Sequence, residues 1–260
     1  MKTFTKSLFA GALMLTAGSA TAANISIGMS GSATAESDFK DLLKPGYVSE
    51  NFDSLGNNPV SYTGGSNAQN QQLSWMDSSP TFSTNVGTFT LTESGQTFTN
   101  DKLAADDGDN LKIESAGTGE FGREVLSSYE GDFWLDSNDA KKVEWNFNSG
   151  GVAGRYLNAF GFYIADPADI RAQLTLIFEN GGFSDSFTIP NGQTNGNKGF
   201  VTVKSDMNVV GGILTFDNSK KNDGWGIDDV TVGRLPEPGT LLLMGLGLLG
   251  LGAARRRAAK

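Results

Sequence analysis

From Thr81 to Val232 the apolar residues fall at every second position, run after run. Phe89 and Leu91 alternate with Thr88, Thr90 and Thr92, and Val143, Trp145 and Phe147 with Glu144 and Asn146. Leu174, Leu176 and Phe178 alternate with Gln173 and Thr175, and the pattern returns at Leu111 and Ile113, Phe187 and Ile189, Val201 and Val203, Leu214 and Phe216, and Val230 and Val232. A period of two places one face of each strand on a core and the other in water. Gly150-Gly151, Gly181-Gly182, Asn195-Gly196 and Gly211-Gly212 punctuate the runs as turns. Roughly nine to eleven short strands joined by Gly-rich turns make a sandwich or barrel. The expected fold is all-β, an antiparallel β-sandwich of jelly-roll type.

Elsewhere the pattern is weaker. Ser37 to Gly46 reads as a short helix, with Ser37 as cap, Asp38 at its start and Pro45-Gly46 as its end. Ala23 to Ala35 is a first strand or a loose lead-in. Asn51 to Ser79, rich in Asn, Ser, Gly and Gln, predicts a strand near 49–53 followed by a long loop. No internal repeat is visible.

The two ends carry a different message. Lys2 and Lys6, the apolar run from Leu8 to Leu15 and the small residues Ala20-Thr21-Ala22 form a secretory signal pattern, with the cut expected after Ala22. At the other end Leu235-Pro236-Glu237-Pro238 breaks regular structure. An uncharged stretch from Gly239 to Ala254 follows, and then Arg255-Arg256-Arg257. As a helix the stretch would be about 24 Å long, short for a bilayer core of about 30 Å, and the arginines would hold their end in the cytoplasm. Glycines 239, 245, 247, 250 and 252 are poor helix formers in water. A single hydrophobic sorting helix, inserted transiently in the inner membrane, is the expectation.

These three parts together resemble a PEP-CTERM sorting signal. The resemblance implies an exported protein of a Gram-negative bacterium that makes extracellular polysaccharide. It also implies exosortase as the processing partner near Pro236, Glu237 and Pro238, with Arg255, Arg256 and Arg257 as the stop. Export would use the Sec machinery. The expected division is a signal peptide at 1–22, one β-sandwich domain at 23–233 and the sorting signal at 234–260, with Leu235 to Pro238 a tether outside the fold.

Charge narrows the body's partners. All 29 acidic residues lie between Ala23 and Glu237, against fourteen basic ones, so the body carries −15. Nucleic-acid binding requires basic surface and is not expected. Solvation, or cations such as Ca²⁺, suits such a body. Cysteine and histidine are both absent, which removes disulfides, His-based triads and zinc sites and leaves carboxylate-pair chemistry open.

Asp223 to Gly233 holds the most informative body motif. In a regular strand Asp228 shares a face with Val230 and Val232, so its carboxylate points inward, where it must be paired, hydrogen-bonded or metal-bound. The segment is similar to the closing strand of carbohydrate-binding and galactose-binding-like sandwich domains. That resemblance implies a structural Ca²⁺ held between an early strand and the last one, here by Glu50, Asp53 and Asp228. The other reading is that Asp228 accepts backbone N–H groups at a sheet end. The acidic run Asp106 to Asn110 reads as a turn, and Gly117 to Gly122 as a glycine-rich turn without the βαβ context of a dinucleotide site. Trp134 is the best candidate for an exposed ring that stacks on sugar, core packing being its other reading. The functional expectation is a non-catalytic role in adhesion, matrix structure or carbohydrate binding at the cell surface or in extracellular polysaccharide. The alternative is a glycoside hydrolase or lyase using two carboxylates.

Overall fold

The computed structural model describes residues 23–56, 62–66, 72–94, 111–115, 133–137, 140–165, 167, 171–189, 198–216 and 225–237. The signal pattern, the acidic run at 106–110, the glycine-rich turn at 117–122 and the tail beyond Glu237 lie outside them. Among the described residues no helix is long and apolar enough to cross a membrane.

The chain forms two antiparallel sheets. The elements are β1 (Ile25–Ser30), α1 (Ala35–Asp41), β2 (Val48–Glu50), β3 (Tyr62–Ser66), β4 (Gln72–Ser79), β5 (Thr81–Thr84), β6 (Gly87–Ser94), β7 (Leu111–Ser115) and β8 (Phe133–Ser137). After them come β9 (Ala140–Asn146), β10 (Ala159–Ala165), β11 (Gln173–Phe178), β12 (Phe187–Thr188), β13 (Lys198–Ser205), β14 (Val209–Thr215) and β15 (Trp225–Gly233). The larger sheet runs β1-β13-β10-β15-β8-β7-β4-β3, with β2 also on β15, and the smaller runs β12-β11-β14-β9-β6-β5. From β9 onward the chain passes back and forth between the sheets except from β11 to β12, and every later strand but β12 buries residues between the layers. The β-sandwich expected from the alternation is the fold.

The core lies between the sheets. Phe160, Phe162 and Ile164 of β10 and Val201 and Val203 of β13 meet Phe89, Val143, Trp145, Leu174 and Leu214 of the smaller sheet. Trp145 joins the layers. Its ring stacks on Phe89 at 4.9 Å, meets Phe160 edge-on at 5.2 Å, and its Nε1–H donates to the Val86 carbonyl at 3.0 Å. Burying such a ring removes about 150–250 Å² from water, and truncating it to alanine would cost about 3–5 kcal/mol. Gly87, which opens β6, has φ 120°, and a Cβ there would come within 2.4 Å of the Asn146 carbonyl. No other residue fits that approach of β6 to β9.

Two local readings change. The helix begins at Ala35 rather than Ser37. Thr34 accepts the Asp38 N–H on its carbonyl and donates its hydroxyl to the Asp38 carboxylate at 2.9 Å, so the helix is fixed one turn earlier. Segment 54–80 contains β3 and β4. β3 has no apolar alternation, and in β4 it is limited to Leu73 and Trp75 about Ser74, too short a run to mark a half-buried strand. The helix lies on the outer face of the larger sheet, where Phe39 and Leu43 pack with Ala159 and Phe200.

Candidate functional site

β15 runs through the middle of the larger sheet and is flanked end to end on one edge. Its first part pairs with β8 and its last part with β2. Between these lies a bulge. Tyr163 of β10 pairs with Asp228 and Gly161 with Thr231, so Asp229 and Val230 together oppose Phe162. Asp229 takes φ 47°, the left-handed conformation that Asp tolerates better than most residues. The extra residue flips the strand's parity. Trp225 and Ile227 before it, and Val230 and Val232 after it, all enter the core, while Asp228 falls on the outer face beside Tyr163.

That outer face carries a row of buried polar groups. Lys112 and Glu114 of β7, Trp134 and Asp136 of β8, and Asp228 are all buried. Lys112 stands opposite Asp136 and Glu114 opposite Trp134 across the β7–β8 ladder, and Asp136 opposite Gly226 across β8–β15. Opposite charges facing each other across antiparallel strands attract, and ionised groups removed from water require such partners. Tyr163 at the end of the row is held protonated above its ordinary range. Its own burial is the largest cause, followed by the carboxylates of Glu36, Asp229 and Asp228. The alternation in β7 predicted Lys112 and Glu114 on a wet face. A single strand's pattern reads the same whether its polar face is wet or covered, so the sequence held no signal for this row.

The three residues assigned to calcium are not brought together. Glu50 pairs with Val230 on the core side of the sheet and is 5% exposed. Its Oε1 accepts the Phe52 N–H at 2.9 Å and its Oε2 the Asn85 N–H at 2.9 Å. Asp53 Oδ1 accepts the Phe133 N–H at 3.0 Å. Asp228 Oδ1 accepts the Asp229 N–H at 2.7 Å. The inward orientation expected for Asp228 is therefore corrected by the bulge: Glu50 and Asp228 sit on opposite faces of one sheet. Among the described residues no group of three acidic side chains is placed to hold a metal ion. Glu50, Asp53 and Asp228 each accept at least one backbone N–H group.

Trp134 is not exposed either. Its ring is 4% accessible and packs with Ala165 and Tyr163, so it offers no face to a sugar. Trp145 and Trp225 are core residues.

The start of the tail is docked rather than free. The Arg234 carbonyl accepts the Lys44 N–H at 2.8 Å, and the Leu235 N–H donates to Asn158 Oδ1 at 2.7 Å. Leu235 packs against the Phe39–Phe200 cluster under α1. Glu237 accepts from Arg234 at 2.6 Å and from Lys44 at 3.4 Å. The expected tether from Leu235 onward is corrected for these residues: the body holds the chain as far as Glu237. Beside them lies a groove of about 460 Å³, walled by Tyr156, Asn158, Lys204, Asp206 and the first residues of β1.

Residues 235–257 match the PEP-CTERM protein-sorting motif. The motif begins two residues after β15, within the docked extension, and it marks an exported protein sorted to the cell envelope. No curated protein matches the chain. Among solved structures, the CBM22-1 xylan-binding domain of Paenibacillus barcinonensis Xyn10C is similar over 49% of this chain and 83% of that domain, with 9% identity and a TM-score of 0.29.

Proposed function

We propose that this protein is an exported, non-catalytic component of the cell surface or its polysaccharide matrix, whose sandwich body holds glycan without cleaving it. The observation that carries the reading is the sorting motif at 235–257 at the end of an acidic all-β body. Gly239 to Ala254 would lodge in the inner membrane after Sec export, until exosortase acts near Pro236-Glu237-Pro238. Without histidine or cysteine, hydrolysis of a glycosidic bond would fall to two carboxylates about 5–9 Å apart on an open cleft. The buried carboxylates described above accept backbone amides or lie under a covered face, which favours a structural role for them.

The test is a glycan array probed with the purified full chain in detergent, with product formation followed on every glycan bound. Binding without new reducing ends or unsaturated products is expected, and unchanged by a calcium chelator. Turnover of a bound glycan would replace this reading with that of a polysaccharide-modifying enzyme.

A further inference from the structure

The groove beside the docked tail is chemically unlike the rest of the body. The body carries −15 overall, yet the acids at this groove are committed. Asp206 accepts the Asn24 backbone N–H at 3.0 Å on Oδ1 and the Asn24 side-chain amide at 3.1 Å on Oδ2. Glu237 is held by Arg234 and Lys44. The donors are less committed. The Lys204 side chain, on β13, makes no hydrogen bond or ion pair with another described residue. Asn158 accepts the Leu235 N–H on Oδ1, and its Nδ2 donors are unused among the described residues. Arg234 lies over the Tyr156 ring at 5.0 Å, and that ring is 43% exposed.

A groove with spare N–H donors, a lysine outside any ion pair and an exposed aromatic ring suits an anion carried on a flat, partly apolar body. We propose that it binds carboxylate-bearing sugar units of an acidic polysaccharide, with Lys204 facing the carboxylate and Tyr156 stacking on the ring. The volume of about 460 Å³ lies within the range of about 300–1,000 Å³ usual for small-ligand sites. At physiological ionic strength charges farther than about 8 Å are screened, and at the groove Lys44, Arg234 and Lys204 stand against Glu237 and Asp206, which leaves one positive charge in excess. This inference rests on the glycan-binding reading above and gives it a place and a substrate class.

The experiment titrates the full chain in detergent with oligogalacturonate, with uncharged cellohexaose and with acetate, for the native protein and for Lys204→Ala, Lys204→Arg and Tyr156→Ala. Oligogalacturonate is expected to bind at least tenfold more tightly than cellohexaose or acetate. Lys204→Ala should weaken it about tenfold, Lys204→Arg should restore most of the affinity, and Tyr156→Ala should weaken both sugars. Melting temperature checks that each variant is folded, and Lys204 makes no bond whose loss would unfold it. Glycan binding that Lys204→Ala and Tyr156→Ala leave unchanged overturns the groove and leaves the glycan-binding reading intact. Equal affinity for acetate removes the sugar from the proposal. Failure of every glycan, here and on the array, overturns both.

Discussion

Glu50 closes two polar gaps in the core. β2 is only Val48–Glu50, too short to anchor itself, and the chain turns at Phe52 with φ 59°. The two carboxylate oxygens of Glu50 accept the amides of Phe52 and Asn85, so one side chain ties that turn to the β5–β6 hairpin. Charge-assisted bonds to buried N–H groups are worth more than neutral ones, and leaving a buried donor without a partner costs about 1–3 kcal/mol. Glu50→Ala is therefore expected to lower the unfolding free energy by about 2–5 kcal/mol, and Glu50→Gln, which keeps one acceptor, by about half as much. Denaturant unfolding curves of the two variants check this; equal and small losses would remove the role. The residue could be singled out from the sequence as an acid on an early strand. Its partners could not, because Asn85 lies far along the chain and the contact depends on how the two sheets are stacked.

At the scale of elements, one residue of β15 decides which side of the sheet each carboxylate occupies. The alternation of apolar residues correctly located the strand and its core members Val230 and Val232. It misplaced Asp228, since a period of two assumes that no residue is inserted. The only hint was chemical: Asp228-Asp229 places a residue type that tolerates left-handed backbone where the bulge forms. Asp229, at φ 47°, is thus the element's hinge of parity. Asp229→Gly and Asp229→Val both remove the carboxylate, and glycine adopts that conformation freely. Asp229→Val should therefore be about 1–2 kcal/mol less stable than Asp229→Gly, because a branched side chain in left-handed backbone strains it. Thermal unfolding separates the two, and a valine variant as stable as the glycine one would argue that the strand runs through without a bulge. β3 and β4 show the complementary blind spot: with apolar alternation confined to Leu73 and Trp75, the sequence between Phe52 and Ser79 reads as loop however its backbone is paired.

At the scale of the whole molecule, the described body brings its first and last residues to one side. β1 begins at Ile25 beside the end of β13, with Asn24 bonded to Asp206, and the docked residues Arg234 to Glu237 line the same groove. The sorting motif thus leaves the body beside the point at which a signal peptide cut after Ala22 would free the amino terminus. From composition alone the boundary belonged after the last alternating strand, and β15 does end at Gly233. The sequence gives no sign that the next residues stay attached, because Leu235 is one apolar residue without a periodic partner, and Asn158 and Lys44 are remote from it in the chain. Attachment has a direct consequence for the Leu235 amide. While it donates to Asn158 Oδ1 its exchange with solvent requires the tail to lift, and a hydrogen bond worth about 1 kcal/mol slows that exchange five- to tenfold. Asn158→Ala is expected to speed exchange at Leu235 by about that factor, while leaving the core amides of β10 unchanged. Asn158→Asp, which keeps the acceptor, should retain the protection. Fast exchange at Leu235 in the native chain would return these residues to the status of a free tether, and with it would go the idea that the body presents the sorting motif from a fixed point.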